Sequence, residues 1–333
     1  MKKITAIAIS LFFIAGCARV GIPGRYSRTV TLMDTFVQVK VIAPGSSRGE
    51  IESAVNGAFD LARKLDKKFS TYDPESEVNK LNIAKSLKVS PELFNLVLAA
   101  NRVSLATGGE FDITIAPVMK ANGLYRGMPG EILEKIPDDF SGVGWKNVKL
   151  RMDQGKILLL NNAWIDLSGI AKGYIVDSMA EFFKQKGFTS FMINAGGDIY
   201  CGTKGDDGPW RIGIRKPGAR NIVLTLDVKN MAVATSGDYE NVVLDRKTGE
   251  VVSHIIDPLK DKAIPKDATS VTVIAPTCSK ADGLATGMLA MGLDKALVLA
   301  DDLGNVEIIT VYCPGDKHTI RFSSGAREYV VAR

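Results

Sequence analysis

Thr269-Ser270-Val271-Thr272-Val273-Ile274-Ala275 is a β-branched apolar run that turns at Pro276 into Thr277-Cys278-Ser279-Lys280-Ala281-Asp282-Gly283-Leu284-Ala285-Thr286-Gly287-Met288. The first part has the length and composition of a buried strand. Beyond Thr277, residues Leu284, Met288, Leu289 and Met291 recur at helical spacing. Asp282 and Thr286 are then four apart on one helical face. A carboxylate and a hydroxyl stacked in this way offer two hard oxygens to Mg²⁺, which takes one or two carboxylates together with the phosphates of a substrate. The same spacing also serves an Asp that solvates a helix and a Thr that bonds back to a carbonyl, so the pair alone leaves both readings open. Just upstream, Ser253-His254-Ile255-Ile256-Asp257-Pro258 sets one of the chain's 2 histidines in an apolar, strand-like setting. His254 is either a satisfied structural residue or the one nearby side chain whose ordinary pKa suits proton transfer near neutrality.

The N-terminus bears on the compartment. Lys2-Lys3 precedes an apolar stretch from Ile4 to Ala15, and Ile14-Ala15-Gly16-Cys17 places small residues just before a cysteine. That stretch is too short for an ordinary transmembrane helix and predicts a cleaved export signal. Its last four residues resemble a bacterial lipobox. This implies lipid attachment at Cys17 of an exported protein anchored on the periplasmic or extracytoplasmic face of a bacterial membrane; a plain secretory signal with an incidental cysteine is the alternative. The expected organisation is a signal over 1–16, a tether over 17–29 and one domain over 30–333, with 110–150 as a candidate subdomain. The formal net charge of +5 becomes +3 when Lys2 and Lys3 are removed, and no Lys/Arg cluster with interleaved aromatics appears, so nucleic acid is not an expected partner. Cys201, Cys278 and Cys313 are odd in number and lack C-x-x-C spacing, which argues against a cysteine metal site or a disulfide scaffold and leaves any pairing open.

Along the chain, Thr29 to Ile42 reads as a first strand interrupted at Met33-Asp34-Thr35. Arg48 to Lys68 reads as a helix with Ile51, Val55, Ala58, Phe59, Ala62 and Leu65 on one face. Tyr72 stands in a polar, turn-rich loop, where it plugs onto the core or stacks on a planar ligand. Ser90-Pro91 starts a helix that stops at Thr107-Gly108-Gly109. Residues 120 to 145 read as a surface excursion, and Val148 to Met152 with Lys156 to Leu160 as a hairpin. Ala163 to Leu167 reads as a strand opening through Ser168-Gly169 into a helix. Asp166 at that junction, the outward amides of Ser168 to Ala171, and Lys172 one turn in make a place for a phosphate, or simply a capped helix with a surface lysine. The glycines of Asn194-Ala195-Gly196-Gly197-Asp198 admit close backbone approach to a ligand, or serve a hairpin alone. Short strands at Trp210 to Arg215, Ile222 to Val228 and Met231 to Thr235 lead into Ser236-Gly237-Asp238-Tyr239. The sum is an α+β chain with antiparallel sheets.

Eight of these segments, in order over nearly the whole chain after the leader, resemble the ApbE family, the FAD:protein FMN transferases. They are Met33-Asp34-Thr35-Phe36, Ser70-Thr71-Tyr72, Phe111-Asp112-Ile113-Thr114, Asp166 to Gly173, Asn194 to Asp198, Ser236 to Tyr239, Ser253 to Pro258 and Ala281 to Gly287. The resemblance implies a T-fold-like arrangement of mixed and antiparallel sheets with packed helices, and FAD as substrate with its diphosphate near Lys172. It implies contacts to the flavin nucleotide from Met33, Tyr72, the Glu110, Phe111 and Asp112 backbone, Asp166, Asn194, Gly196, Ser236, Gly237 and Ile256. It implies Mg²⁺ held by Asp282, Thr286 and the main chain of Gly169, with the carbonyl of Ala285 as a further ligand. Of the two groups able to take a proton from an acceptor hydroxyl, His254 and Asp257, His254 is favoured because an Asp at its ordinary pKa is a weak base.

The activity implied is transfer of FMN from FAD, with release of AMP, to a Thr or Ser hydroxyl of exported redox subunits that carry a D-G-x-[S/T]-G-[A/S]-T motif. Flavinylated subunits of sodium-pumping NADH:quinone oxidoreductase or Rnf-type complexes are the kind of client implied. Phosphoryl-type transfer needs an in-line nucleophile and neutralised phosphate charge, and little covalent help from the enzyme. An FAD pyrophosphatase, with water in place of the client hydroxyl, and a non-catalytic flavin-binding lipoprotein are the competing expectations.

Overall fold

Val271, Val273 and Ile308 face one side of a central sheet, and Ile274, Ile309 and Val311 face the other, so the run that reads as a buried strand is covered on both sides. All seven residues of strand Thr269–Ala275 are buried accordingly. The computed structural model describes residues 24–205, 208–239, 242–244, 251–267, 269–314 and 317–331; the expected export signal and Cys17 lie outside them. The central sheet runs Arg25–Leu32, Thr35–Ile42, Phe191–Ala195, Asp198–Cys201, Met231–Gly237, Thr269–Ala275, Glu307–Tyr312 and Thr319–Phe322, with every neighbouring pair antiparallel. Helices Arg48–Phe69, Pro91–Ala106, Ala171–Gln185, Cys278–Met291 and Leu293–Leu303 pack on one face. The hairpin Trp210–Arg215 with Ile222–Val228 covers the other. This is the expected α+β class. Among the described residues no helix is long and apolar enough to cross a membrane, and Cys201, Cys278 and Cys313 are free and buried.

Several local expectations are corrected. The first strand is two: Met33 and Asp34 both take φ 54°, making a tight left-handed turn between Arg25–Leu32 and Thr35–Ile42, which pair along their full length. Arg25 to Thr29, read as tether, therefore belong to an edge strand. Residues 163–167 pair with no strand. They are held instead by the Asn82 side chain, which brackets Ile165 at 2.8 and 2.9 Å, and by the Asp166 amide, which donates to the Ile113 carbonyl at 2.7 Å. Residues 120–145 are no mere excursion: Tyr125, Met128, Ile132 and Ile136 are buried with Ala116 and Trp164 in a small apolar cluster. Their apolar residues are too widely spaced among glycines and charges to show a period, and it is Trp164 that gathers them. Helix Glu77–Ala84 escapes pattern reading because two of its buried residues, Asn79 and Asn82, are polar.

Two helices carry much of the site. Helix Cys278–Met291 is capped by Thr277, whose hydroxyl accepts the Lys280 amide, and by Asp177 of the neighbouring helix, which accepts the Cys278 and Ser279 amides at 2.6 and 2.8 Å. Gly173 on helix Ala171–Gln185 lies against this turn so tightly that a Cβ there would be 2.5 Å from the Cys278 carbonyl oxygen and 2.8 Å from the Asp282 Cβ. The backbone neighbour cannot rotate away. Gly173→Ala is expected to cost about 1–3 kcal/mol of stability by overpacking, read as a shift in the urea unfolding midpoint; an unshifted midpoint would contradict this close approach.

Candidate active site

The side chain that the missing Cβ of Gly173 makes room for is Asp282. Its Oδ2 accepts the Gly173 amide at 2.9 Å, although Asp282 itself is buried and one turn into its helix. Thr286 follows one turn on along the same face, with its hydroxyl 3.4 Å from that of Ser236 on strand Met231–Gly237. The main chain of Gly169 comes beside it: a Cβ on Gly169 would lie 3.8 Å from Thr286 Oγ1. Among the described residues, no main-chain hydrogen bond outside the regular elements ends on the Gly169 carbonyl. The Gly173 amide that would ordinarily reach back to it is given to Asp282 instead.

These groups line a cavity of about 290 Å³. Glu110, Phe111, Asp112, Asp166, Gly169, Lys172, Ser236, Gly237, His254, Ile256, Asp282 and Thr286, all singled out in the sequence, line it together. Strand Val251–Asp257 breaks register with Lys262–Pro265 between Val252 and Ile256. His254, Ile255 and Ile256 all line the cavity, while Ile255 packs into the main core and Ile256 into a small cluster with Val118.

Other expected residues lie elsewhere. Asp257 does not line the cavity: its carboxylate accepts the Leu259 and Lys260 amides at 3.1 Å and pairs with the Lys260 ammonium, so it closes a turn. Asn194 and Gly196 shape a turn: Asn194 Oδ1 accepts the Gly197 amide at 2.9 Å, and Gly196, at φ +64°, lets the Thr35 side chain close in. Met33, at the adjoining hairpin tip, is also outside the lining, as is Ala285, which is fully buried inside its helix. Tyr72 is outside the lining too, 41% exposed, its ring edge-on to Tyr125 with centroids 6.4 Å apart. Asp198 is the residue that sequence reasoning missed. It ends the glycine turn already noted and forms an ion pair with Lys172. Its signal was there, a carboxylate placed directly after a close-approach turn.

Charge in the cavity is unbalanced. Lys172 is the one Lys or Arg among the described lining residues, set against Glu110, Asp112, Asp166, Asp198 and Asp282. Burial works against the Lys172 ammonium, but Asp198 and then Asp282 outweigh it and raise its pKa well above the ordinary range. Burial, then the charge of Asp198, push the Asp282 carboxyl up to about 8, against the pull of Lys172 and the Gly173 amide. The donor set fits a hard cation better than a soft one. No group of three His, Cys, Asp or Glu side chains forms a metal cluster among the described residues, while one buried carboxylate, a hydroxyl and the main chain of Gly169 line the same cavity.

With this geometry, the family model described as "ApbE family" matches residues 33–310. The chain belongs to the ApbE family. A relative from Haemophilus influenzae named FAD:protein FMN transferase is 31% identical over 283 residues, covering 81% of each chain. One of the same name from Escherichia coli is 29% identical, with 88% of each covered. Among solved structures, the flavin transferase ApbE from Vibrio cholerae superposes with a TM-score of 0.76 at 27% identity, covering 92% of this chain and 99% of that one. The ApbE protein of Thermotoga maritima gives 0.79 at 27% identity, with 92% and 100% covered. These ApbE matches span the helices and strands that carry the cavity.

Glu110 adds a pH signature to this ApbE cavity. Burial, then the charge of Asp257, raise its carboxyl above the ordinary 4.5, and its Oε2 is buried with no hydrogen-bond partner. A carboxyl whose pKa is raised on folding favours the native state fully below its unfolded pKa, and that contribution is lost as pH rises through the folded value. The melting temperature of the ligand-free protein should therefore fall less between pH 5 and pH 8 in Glu110→Gln than in the parent. Equal slopes in a thermal melt series would show that Glu110 is not held in this way.

Proposed function

We infer that this chain transfers FMN from FAD to a hydroxyl of another protein. What carries the inference is the pairing of Asp282 and Thr286 on one helix face with Gly169 beside them and His254 on the facing wall, in a member of a family whose named relatives are FAD:protein FMN transferases. The acceptor oxygen attacks the phosphorus of the FMN half, the bond to the AMP oxygen breaks, and AMP leaves. His254 takes the proton that the acceptor hydroxyl gives up, which needs a base with a pKa near neutrality at the reacting atom. Lys172, kept protonated by Asp198, balances one charge of the diphosphate. One lysine against five carboxylates leaves a dianionic diphosphate undercompensated, which is why a divalent cation belongs in this reading.

Mg²⁺ would be held by Asp282, Thr286 and the main chain of Gly169; when bound it supplies positive charge to the phosphate oxygens and orients them for in-line displacement. Ile256 and Phe111 give the cavity apolar wall, and Asp166 and Tyr72 contact the flavin nucleotide. The acceptor is a Thr or Ser in a D-G-x-[S/T]-G-[A/S]-T segment of an exported redox subunit, and the enzyme works beside it, exported and lipid-anchored through Cys17.

Incubation of the protein with FAD, Mg²⁺ and a purified domain bearing that segment should leave flavin fluorescence on the acceptor band after denaturing electrophoresis. Free FMN without a labelled acceptor would indicate FAD hydrolysis instead, and neither product would indicate storage. Asp282→Ala should lower Mg²⁺-dependent turnover by about 10²–10³-fold, and full activity of that variant at limiting Mg²⁺ would refute the assignment. His254→Ala should keep FAD affinity and lose about 10²–10⁴-fold in transfer; lost FAD binding would make the residue structural.

A further inference from the structure

Asp166 does not hold its place in the cavity wall alone. Its Oδ1 accepts the Ser168 amide at 2.8 Å, while its Oδ2 accepts the Tyr125 hydroxyl at 2.9 Å and the Thr71 hydroxyl at 3.3 Å. The shortest side-chain bond therefore comes from Tyr125, which lies in the segment that reads as a surface excursion. Tyr125 is itself buried, in the cluster with Met128, Ile132 and Trp164. Trp164 lies two residues before Asp166, so the same small cluster backs both partners of the bond. Tyr125 also meets the ring of Tyr72 edge-on at 71°. One phenol thus touches both Asp166, which lines the cavity, and the ring of Tyr72.

We propose that Tyr125 is a positioning residue for FAD, one that orients the Asp166 carboxylate with its hydroxyl and props the Tyr72 ring with its edge. The proposal rests on the reading above in which Asp166 contacts the nucleotide. Asp166 lies outside any strand, so ladder hydrogen bonds do not orient it. Its side chain is buried, and a carboxylate there must be satisfied by nearby donors. Without the phenol, Oδ1 keeps the Ser168 amide but Oδ2 keeps only the longer Thr71 bond, so the carboxylate is less firmly oriented toward substrate. Burial and the charge of Asp166 push the Tyr125 hydroxyl well above its ordinary pKa, so it stays a donor throughout the working pH range. Hydrogen bonds to charged groups are the stronger kind, which is why losing this one is measurable.

The test is a double-mutant cycle on the full-length protein, with Tyr125→Phe, Asp166→Asn and both together. FAD affinity is read from the quenching of flavin fluorescence, which needs no acceptor and so stands even if the transfer reading fails. Tyr125→Phe keeps the ring, so its melting temperature should stay close to that of the parent. FAD affinity should fall about tenfold and, where transfer is measured, KM for FAD should rise by the same factor with kcat within twofold. In the Asp166→Asn background, adding Tyr125→Phe should change affinity less than twofold. The proposal is overturned if Tyr125→Phe lowers the melting temperature while leaving FAD affinity alone, if kcat falls instead of affinity, or if the two single effects multiply in the double variant. It is overturned equally if Asp166→Asn leaves affinity unchanged, since Tyr125 would then have no nucleotide contact to act through.

Discussion

One hydrogen bond sets the architecture of this cavity: the Gly173 amide to the buried carboxylate of Asp282. It joins two helices across a contact with no side chain between them, and it does three things at once. It draws the start of helix Ala171–Gln185 against helix Cys278–Met291, which brings Lys172 into the cavity. It takes from the Gly169 carbonyl its ordinary helical partner, at a residue whose main chain lies beside Thr286. It also keeps a carboxylate at a depth where burial alone would favour the neutral acid. The cost of such a carboxylate is tolerable where a cation completes the site, and Lys172 and a divalent metal are the two cations that chemistry offers there.

The second helix is held from its own end by the same neighbour. Asp177 sits one turn beyond Gly173 and receives the first two amides of helix Cys278–Met291. The two helices are therefore fastened at two successive turns by carboxylate-to-amide bonds running in opposite directions, Asp282 to Gly173 and Asp177 to Cys278. Such a double latch gives Asp282 and Thr286 a rigid mount, and rigid mounting is what charge stabilisation in a transfer reaction needs. The opposite wall is less regular. There strand Val251–Asp257 shifts register against its neighbour, and His254, Ile255 and Ile256 all line the cavity.

A third layer lies behind these walls. The small cluster around Trp164 takes residues with no helical or strand period and packs them under Asp166. Lys120 helps to close it, donating to the Ile136 carbonyl at 2.7 Å. Its apolar area is slight beside that of the main core, but the polar groups it orients lie at the cavity edge, where a shift of a fraction of an ångström matters to binding.

How much of this was legible in the sequence follows from the range of each interaction. The strand Thr269–Ala275, the helix beyond it and the face shared by Asp282 and Thr286 depend on periodicity within a few turns, and the sequence alone determined them. So did the long amphipathic helices, the α+β class and the segments that resemble the ApbE family. Tertiary structure alone decided that Asp257 closes a turn while His254 lines the cavity, because strand alternation does not say which face of a strand meets a cavity. It alone decided that Lys172 is paired with Asp198 and that Tyr125 holds Asp166, since those partners stand 26 and 41 residues apart. Contacts across such distances depend on how separate elements pack, and no local pattern of hydrophobicity or turn residues encodes which side chains that packing brings together.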